Sequence, residues 1–344
     1  MVAAAAGKVG LVTRDYPVTQ TRNWRGSEAH SLHVLVWYPA VSTAVETQQT
    51  VGPPEAPLFL AGSATPHAPF APAMEKLPLI LLSHGAGGSA EQMGWLGTAL
   101  AGAGFMAVAV DHPGSNSKAA YTAEGFVLWW ERATDLSEVL DGILADPELG
   151  THVDGGRVGV AGYSLGGLTA LQLGGAQTDI SGFFDRCKAH PEVAVCQVSQ
   201  ASGLGTPDGA LAAARKTSGE SLAKSGGSYR DPRVKAVFAI APALAFTLTP
   251  ESLHAMRLPV DMVVGSADAI APSGENASYV RGQVRGARAT VLPGVGHAEF
   301  MDECTAAGMS KYPQFCTDGP GVDRHAVHEQ VSGMAVQFFE RALR

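Results

Sequence analysis

Residues 157–167 read RVGVAGYSLGG, and this stretch decides the fold. RVGVA is a short apolar run of the kind a fully buried strand shows. Residues 165–173 carry helical patterning. Between the two, Gly162, Ser164 and Gly166 form a G-x-S-x-G pattern at a strand-to-helix turn. A serine in that context sits on a sharp turn that lifts its hydroxyl clear of the sheet. Neighbouring elements crowd the positions two before and two after it, so only the smallest residues fit at 162 and 166. The helix start also brings a positive dipole end to the turn, suited to developing negative charge. Ser164 is the candidate nucleophile.

Outward from the turn, strand-like and helix-like segments alternate. Strands are expected at 32–38, 79–82, 105–110, 157–161, 234–240, 260–264 and 289–292. Helices are expected at 90–103, 125–145, 165–173 and 325–343. The alternation predicts an α/β fold, with a mainly parallel central sheet and helices on both faces. No repeat or linker divides the chain, so 1–344 reads as a single domain. Residues 41–76, rich in Pro, Ala, Ser and Thr, read as a long surface excursion between two strands. Residues 178–231 contain Gly- and Ser-rich stretches, two cysteines and one Ala-rich helical piece at 210–215. They read as an insertion that caps the carboxyl edge of the sheet.

A serine hydroxyl is a weak nucleophile without a base and an acid that orients the base. GSAD at 265–268 directly follows the strand at 260–264, which makes Asp268 the candidate acid. Asp261 competes but lies at the opposite end of that strand. PGVGH at 293–297 follows the strand at 289–292, which makes His297 the candidate base. Acyl transfer also needs backbone N–H donors for the oxyanion. One is expected from Leu165, the residue after the nucleophile. The other is expected from HGAGG at 84–88, with the Ala86 amide ahead of Gly85 and Gly87. This loop lacks the lysine and spacing of a phosphate-binding loop and the G-x-G-x-x-G fingerprint.

HGAGG, GYSLGG, GSAD and PGVGH, in this order, resemble the α/β-hydrolase superfamily. VWYPA at 36–40, DHPGSN at 111–116, Trp130-Glu131-Arg132 with Asp135, and Asp323-Arg324 resemble a narrower group within it. That group is the dienelactone-hydrolase-like proteins related to platelet-activating-factor acetylhydrolases, and the likeness spans about residues 10–343. True dienelactone hydrolases use a cysteine nucleophile, whereas this chain has Ser164. The resemblance therefore implies a serine carboxylesterase acting through an acyl-enzyme, on small or short-acyl esters. Lactone, amide or thioester cleavage by the same residues is the second expectation. A catalytically silent binding module on a hydrolase fold is the third. The chemistry calls for no metal and no organic cofactor; the expected partner is a small-molecule ester.

Tyr163, His112 and Trp129 are candidate pocket residues. A turn histidine at His112 and core packing at Trp129 and Trp130 are the competing readings. Arg132 and Asp135 are spaced to pair on one helix face. His325 with His328, and His30 with His33, read as solvated or capping residues rather than metal ligands.

A net charge of −8 disfavours nucleic-acid binding. No apolar run reaches the roughly 18 residues of a membrane-spanning helix. With 46% hydrophobic residues and only 16% charged, the composition excludes a disordered chain. Cys187, Cys196, Cys304 and Cys316 form two local pairs without C-x-x-C spacing. Two disulfides in a periplasmic or secreted protein are expected; four buried thiols in a cytoplasmic one are the alternative. The start MVAAAAGKVG lacks a basic region followed by a long apolar stretch, and its alanines fit the remnant of a removed leader.

Overall fold

The computed structural model describes residues 7–18, 30–72 and 76–343. Among the described residues, eleven strands make one mixed sheet. They are β1 Lys8–Pro17, β2 Ser31–Ala40, β3 Thr47–Val51, β4 Phe59–Pro66, β5 Leu77–Ser83, β6 Met106–Val110, β7 Val153–Tyr163, β8 Val234–Ile240, β9 Val260–Gly265, β10 Arg288–Leu292 and β11 Glu303–Cys304. The spatial order is β10-β9-β8-β7-β5-β6-β2-β1-β4-β11, with β3 paired to β4. Neighbours from β6 to β10 run parallel. β2 runs antiparallel to β1 and β6, and β3 and β11 run antiparallel to β4.

The helices are α1 Gly94–Gly102, α2 Ala123–Val127, α3 Trp129–Ala145, α4 Leu165–Gly174, α5 Ile180–Ala189, α6 Ala194–Ala201, α7 Pro207–Leu222, α8 Pro250–Ala255, α9 Ala277–Gln283, α10 Ala306–Lys311, α11 Pro313–Cys316 and α12 Arg324–Ala342. Central strands are apolar on both sides because both faces are covered. Leu79 and Leu81 of β5 pack into the core shared with α3 and α4. Ile80 and Leu82 pack on the opposite face with α1 and α12.

One consequence of this winding positions the site. β5 leads into α1 on one face, and its neighbour β7 leads into α4 on the other. The loops leaving their carboxyl ends therefore diverge and open a crevice, which is where open α/β sheets bind ligands.

Three expectations change. Residues 41–76 are not only a surface excursion: β3 and β4 lie within them, and β4 continues the sheet by pairing with β1 through Gly10↔Thr65. TQQTV of β3 is a half-exposed edge strand, and its polar residues lack the alternation that marks a strand in sequence. The helix expected over 125–145 breaks at Leu128 (φ −90°, ψ 58°), which separates α2 from α3. Residues 178–231, expected to be an insertion with one helical piece, hold three helices, α5, α6 and α7. The Cys187–Cys196 disulfide ties α5 to α6, and Phe183 and Val195 are buried beneath them. These short helices draw on that crosslink and on burial more than on local propensity.

The second disulfide, Cys304–Cys316, joins β11 to α11. No helix among the described residues is long and apolar enough to cross a membrane.

Candidate active site

Ser164 is the residue between β7 and α4, with φ 56° and ψ −119°. A positive φ at a non-glycine residue is strained, and close packing on both sides holds it there. A Cβ at Gly162 would lie 2.1 Å from the Gly166 carbonyl oxygen, and one at Gly166 would lie 1.9 Å from that of Ser83. The turn is thus wedged between its own helix and the end of β5. The Ser164 N–H donates to Ile240 O at 2.9 Å, which fastens the turn to β8.

His297 Nε2 lies 2.8 Å from Ser164 Oγ, and Nδ1 lies 2.7 Å from Asp268 Oδ2. The Asp268 side chain is fully buried. Its other oxygen, Oδ1, accepts the N–H groups of Ile270 at 2.9 Å and Ala271 at 2.7 Å. Those bonds fix the carboxylate so that Oδ2 faces the imidazole, which holds the proton on Nδ1 and leaves Nε2 free to accept one. The loops carrying Asp268 and His297 are also tied together, since Ala267 N–H donates to Val295 O at 2.9 Å. Asp261, the competing acid, pairs instead with Arg288 at 2.6 Å at the other end of β9.

A pocket partly open to solvent lies against Ser164. Ala86 and Leu165 line it beside the serine. Their amides face no turn, cap or side-chain acceptor among the described residues. The rest of the wall is apolar and aromatic: Trp129, Phe126 and Tyr121 from the core, Phe183, Val195 and Val198 from the insertion. Trp129, a candidate pocket residue, is in the wall and is also buried in the core. Phe183, Val195 and Val198 escaped the sequence reading because nothing in the local pattern of residues 178–231 shows which face turns to the serine.

Tyr163 and His112 do not line this cavity. Tyr163 is buried behind the turn, donates its hydroxyl to His297 O at 2.9 Å, and has its ring centroid 5.1 Å from that of His297. Burial drives its pKa far upward, so it stays a phenol. His112 is fully buried under the 84–88 loop, with Nε2 2.9 Å from Ser83 Oγ and Nδ1 2.9 Å from Asp135 Oδ2. Its backbone N–H donates to His84 Nε2 at 3.1 Å, while His84 Nδ1 donates to Gly85 O at 2.6 Å. His84 is thereby held neutral, and desolvation with the neighbouring Arg132 cation keeps its pKa well below the usual range. Arg132 is attracted by the Asp135 charge, while its hydrogen bonds reach toward the loops beside the serine, and burial lowers its guanidinium to about 10.

His325 is exposed and bonds Glu303 at 2.8 Å. His328 is buried and stacks on Trp95, 4.3 Å between centroids. His33 contacts Asp15 at 3.0 Å.

A strand-switch crevice with a strained serine, a histidine and a buried aspartate defines a class, and the sequence comparison agrees with it. Residues 79–307 match the model of the Alpha/beta hydrolase family, and the chain belongs to that family. No curated protein matches it. Among solved structures, it is similar to a ferulic acid esterase from Streptomyces cinnamoneus at 21% identity, with a TM-score of 0.65 over 100% of this chain and 93% of that one. It is also similar to a puromycin-hydrolysing peptidase from Mycobacterium tuberculosis, at 12% identity and a TM-score of 0.52 over 96% of this chain and 39% of that one. At these identities the likeness is one of fold.

Proposed function

We propose that the protein is a carboxylic-ester hydrolase working through Ser164, His297 and Asp268. The observation that carries this reading is the continuous relay from Ser164 Oγ through His297 to Asp268, with links of 2.8 and 2.7 Å, opening on an apolar cavity. His297 Nε2 takes the Ser164 proton as Oγ attacks the ester carbonyl. The developing oxyanion lies between the Ala86 and Leu165 amides, preorganised donors of the kind that contribute roughly 3–4 kcal/mol each. Asp268 stabilises the imidazolium and keeps its tautomer. The proton then passes to the leaving alcohol, and water activated by His297 releases the acid.

The test is turnover of short p-nitrophenyl esters. Ser164→Ala abolishes it while the melting temperature stays near that of the wild type. Undiminished turnover in this variant overturns the assignment.

The two disulfides support an oxidising, exported location. Thiol counting under denaturing, non-reducing conditions checks it: no reactive thiol is expected, and four would argue for a reducing compartment.

A further inference from the structure

One buried cation reaches both sides of the oxyanion site. Arg132, in the second turn position of α3, is fully enclosed and has four neutral oxygens around its guanidinium. Nη2 donates to His84 O and, at 3.3 Å, to Ser83 Oγ. These residues lead into the 84–88 loop that carries the Ala86 amide. Nη1 donates to Ser115 Oγ at 2.9 Å, and Ser115 O in turn accepts the Gly87 N–H at 3.1 Å. Nε donates to Thr169 Oγ1 at 3.2 Å, and the Thr169 hydroxyl donates to Leu165 O at 3.0 Å. Thr169 lies one helical turn after Leu165, whose amide is the other donor.

We propose that Arg132 is the positioning residue of the oxyanion site, setting the spacing of the Ala86 and Leu165 amides; this rests on the ester-hydrolase reading. The chemistry suits arginine alone. A planar guanidinium offers five donors in a rigid fork, so it fixes several acceptors relative to one another. A lysine in its place keeps the charge but cannot hold three segments in one geometry. Burial adds force to the arrangement, because each carbonyl and hydroxyl around Arg132 is shielded from water and loses a bond if the fork goes. Arg132 does not touch substrate. It acts through the loops, so its loss shows in transition-state binding rather than in ground-state affinity.

The experiment uses the full chain, p-nitrophenyl acetate and a short-chain alkyl trifluoromethyl ketone, whose serine adduct mimics the tetrahedral intermediate. Rates are normalised to folded protein. Arg132→Met lowers kcat about 100-fold, as loss of an oxyanion donor does, with KM within about threefold of the wild type. The trifluoromethyl ketone loses affinity in the same proportion as kcat/KM. Arg132→Lys falls between, near tenfold. A folded Arg132→Met with kcat within about threefold of the wild type, or with reduced kcat and unchanged inhibitor affinity, overturns the proposal. If Arg132→Met does not fold, Thr169→Val keeps the guanidinium and removes its link toward Leu165. It is expected to cost about five- to tenfold in both kcat and inhibitor affinity, and no change in either overturns the proposal. Wild-type and Ser164→Ala proteins run alongside. Absent wild-type turnover defeats the ester-hydrolase reading, and this inference with it. Wild-type turnover with unaffected Arg132 and Thr169 variants defeats this inference alone.

Discussion

The molecule holds two Ser–His–Asp relays of nearly equal geometry. Ser164–His297–Asp268 has links of 2.8 and 2.7 Å; Ser83–His112–Asp135 has links of 2.9 and 2.9 Å. Distances do not separate them, but their surroundings do. Ser164 sits on a strained turn at the wall of a cavity, next to two amides that meet no acceptor among the described residues. Ser83 is the last residue of a regular strand and is completely buried, and its hydroxyl also receives Arg132. Placed beneath the 84–88 loop, the second relay serves as a brace. Under the proposed function, what turns one hydrogen-bonded triplet toward nucleophilic chemistry is access for an acyl group and donors waiting where charge will develop.

The sharpest way to break this comparison is to damage the same residue type in each relay. Asp268→Asn is expected to lower kcat about 10⁴-fold, because an asparagine favours the wrong imidazole tautomer. Its stability should change little by comparison. Asp135→Asn is expected to lower stability by about 2 kcal/mol, the cost of weakening a buried charge-assisted bond. Its turnover per folded molecule should fall no more than about tenfold. Ester hydrolysis and urea unfolding of both variants check this. A folded Asp135→Asn as inactive as Asp268→Asn would make the buried relay part of the chemistry.

The same contrast marks what could be read along the chain. Ser164, Asp268 and His297 were visible because each lies at a strand end beside glycines that a close backbone approach demands. His112 carries the same local signature, in DHPG after β6, yet it turns under the loop instead of into the cavity. Its direction is set by Asp135, which rises from α3 beneath it, and no short motif encodes that meeting. The α/β architecture was legible from its apolar runs. The edge strand β3 was not, since TQQTV lacks an apolar face. Phe183, Val195 and Val198 reach the cavity wall through packing across the Cys187–Cys196 crosslink, and nothing in their own periodicity points there.

Acid separates sealed histidines from solvated ones by a smaller amount. His84, joined to the buried relay, is kept neutral, and His328 on the opposite face of the sheet is lowered to about 4 by burial, against the opposing pull of Glu303. The unfolded chain binds a proton at these positions near pH 6.5, and the folded chain does not. Stability is therefore full above that pH and declines as pH falls toward 4. For His328 the loss amounts to on the order of 3 kcal/mol. Urea midpoints at pH 7.5 and pH 4.5 check this. His328→Gln should shrink the difference between the two by about that amount, and an unaltered difference refutes the burial account of this histidine.

The smallest expected effect tests the buried serine itself. Ser83→Ala removes one acceptor from Arg132 and one hydroxyl from His112, but Arg132 Nη2 retains His84 O. The expected cost is about 1–2 kcal/mol of stability, with a modest fall in turnover of less than about tenfold. A fluorophosphonate probe makes the comparison direct. Wild-type and Ser83→Ala proteins should each take one label, and Ser164→Ala should take none, although its Ser83–His112–Asp135 relay is intact. Labelling of Ser164→Ala would mean that Ser83 becomes accessible and that burial is not what silences it. An unlabelled Ser164→Ala leaves access and waiting donors, rather than the triplet of side chains, as the difference between the two sites.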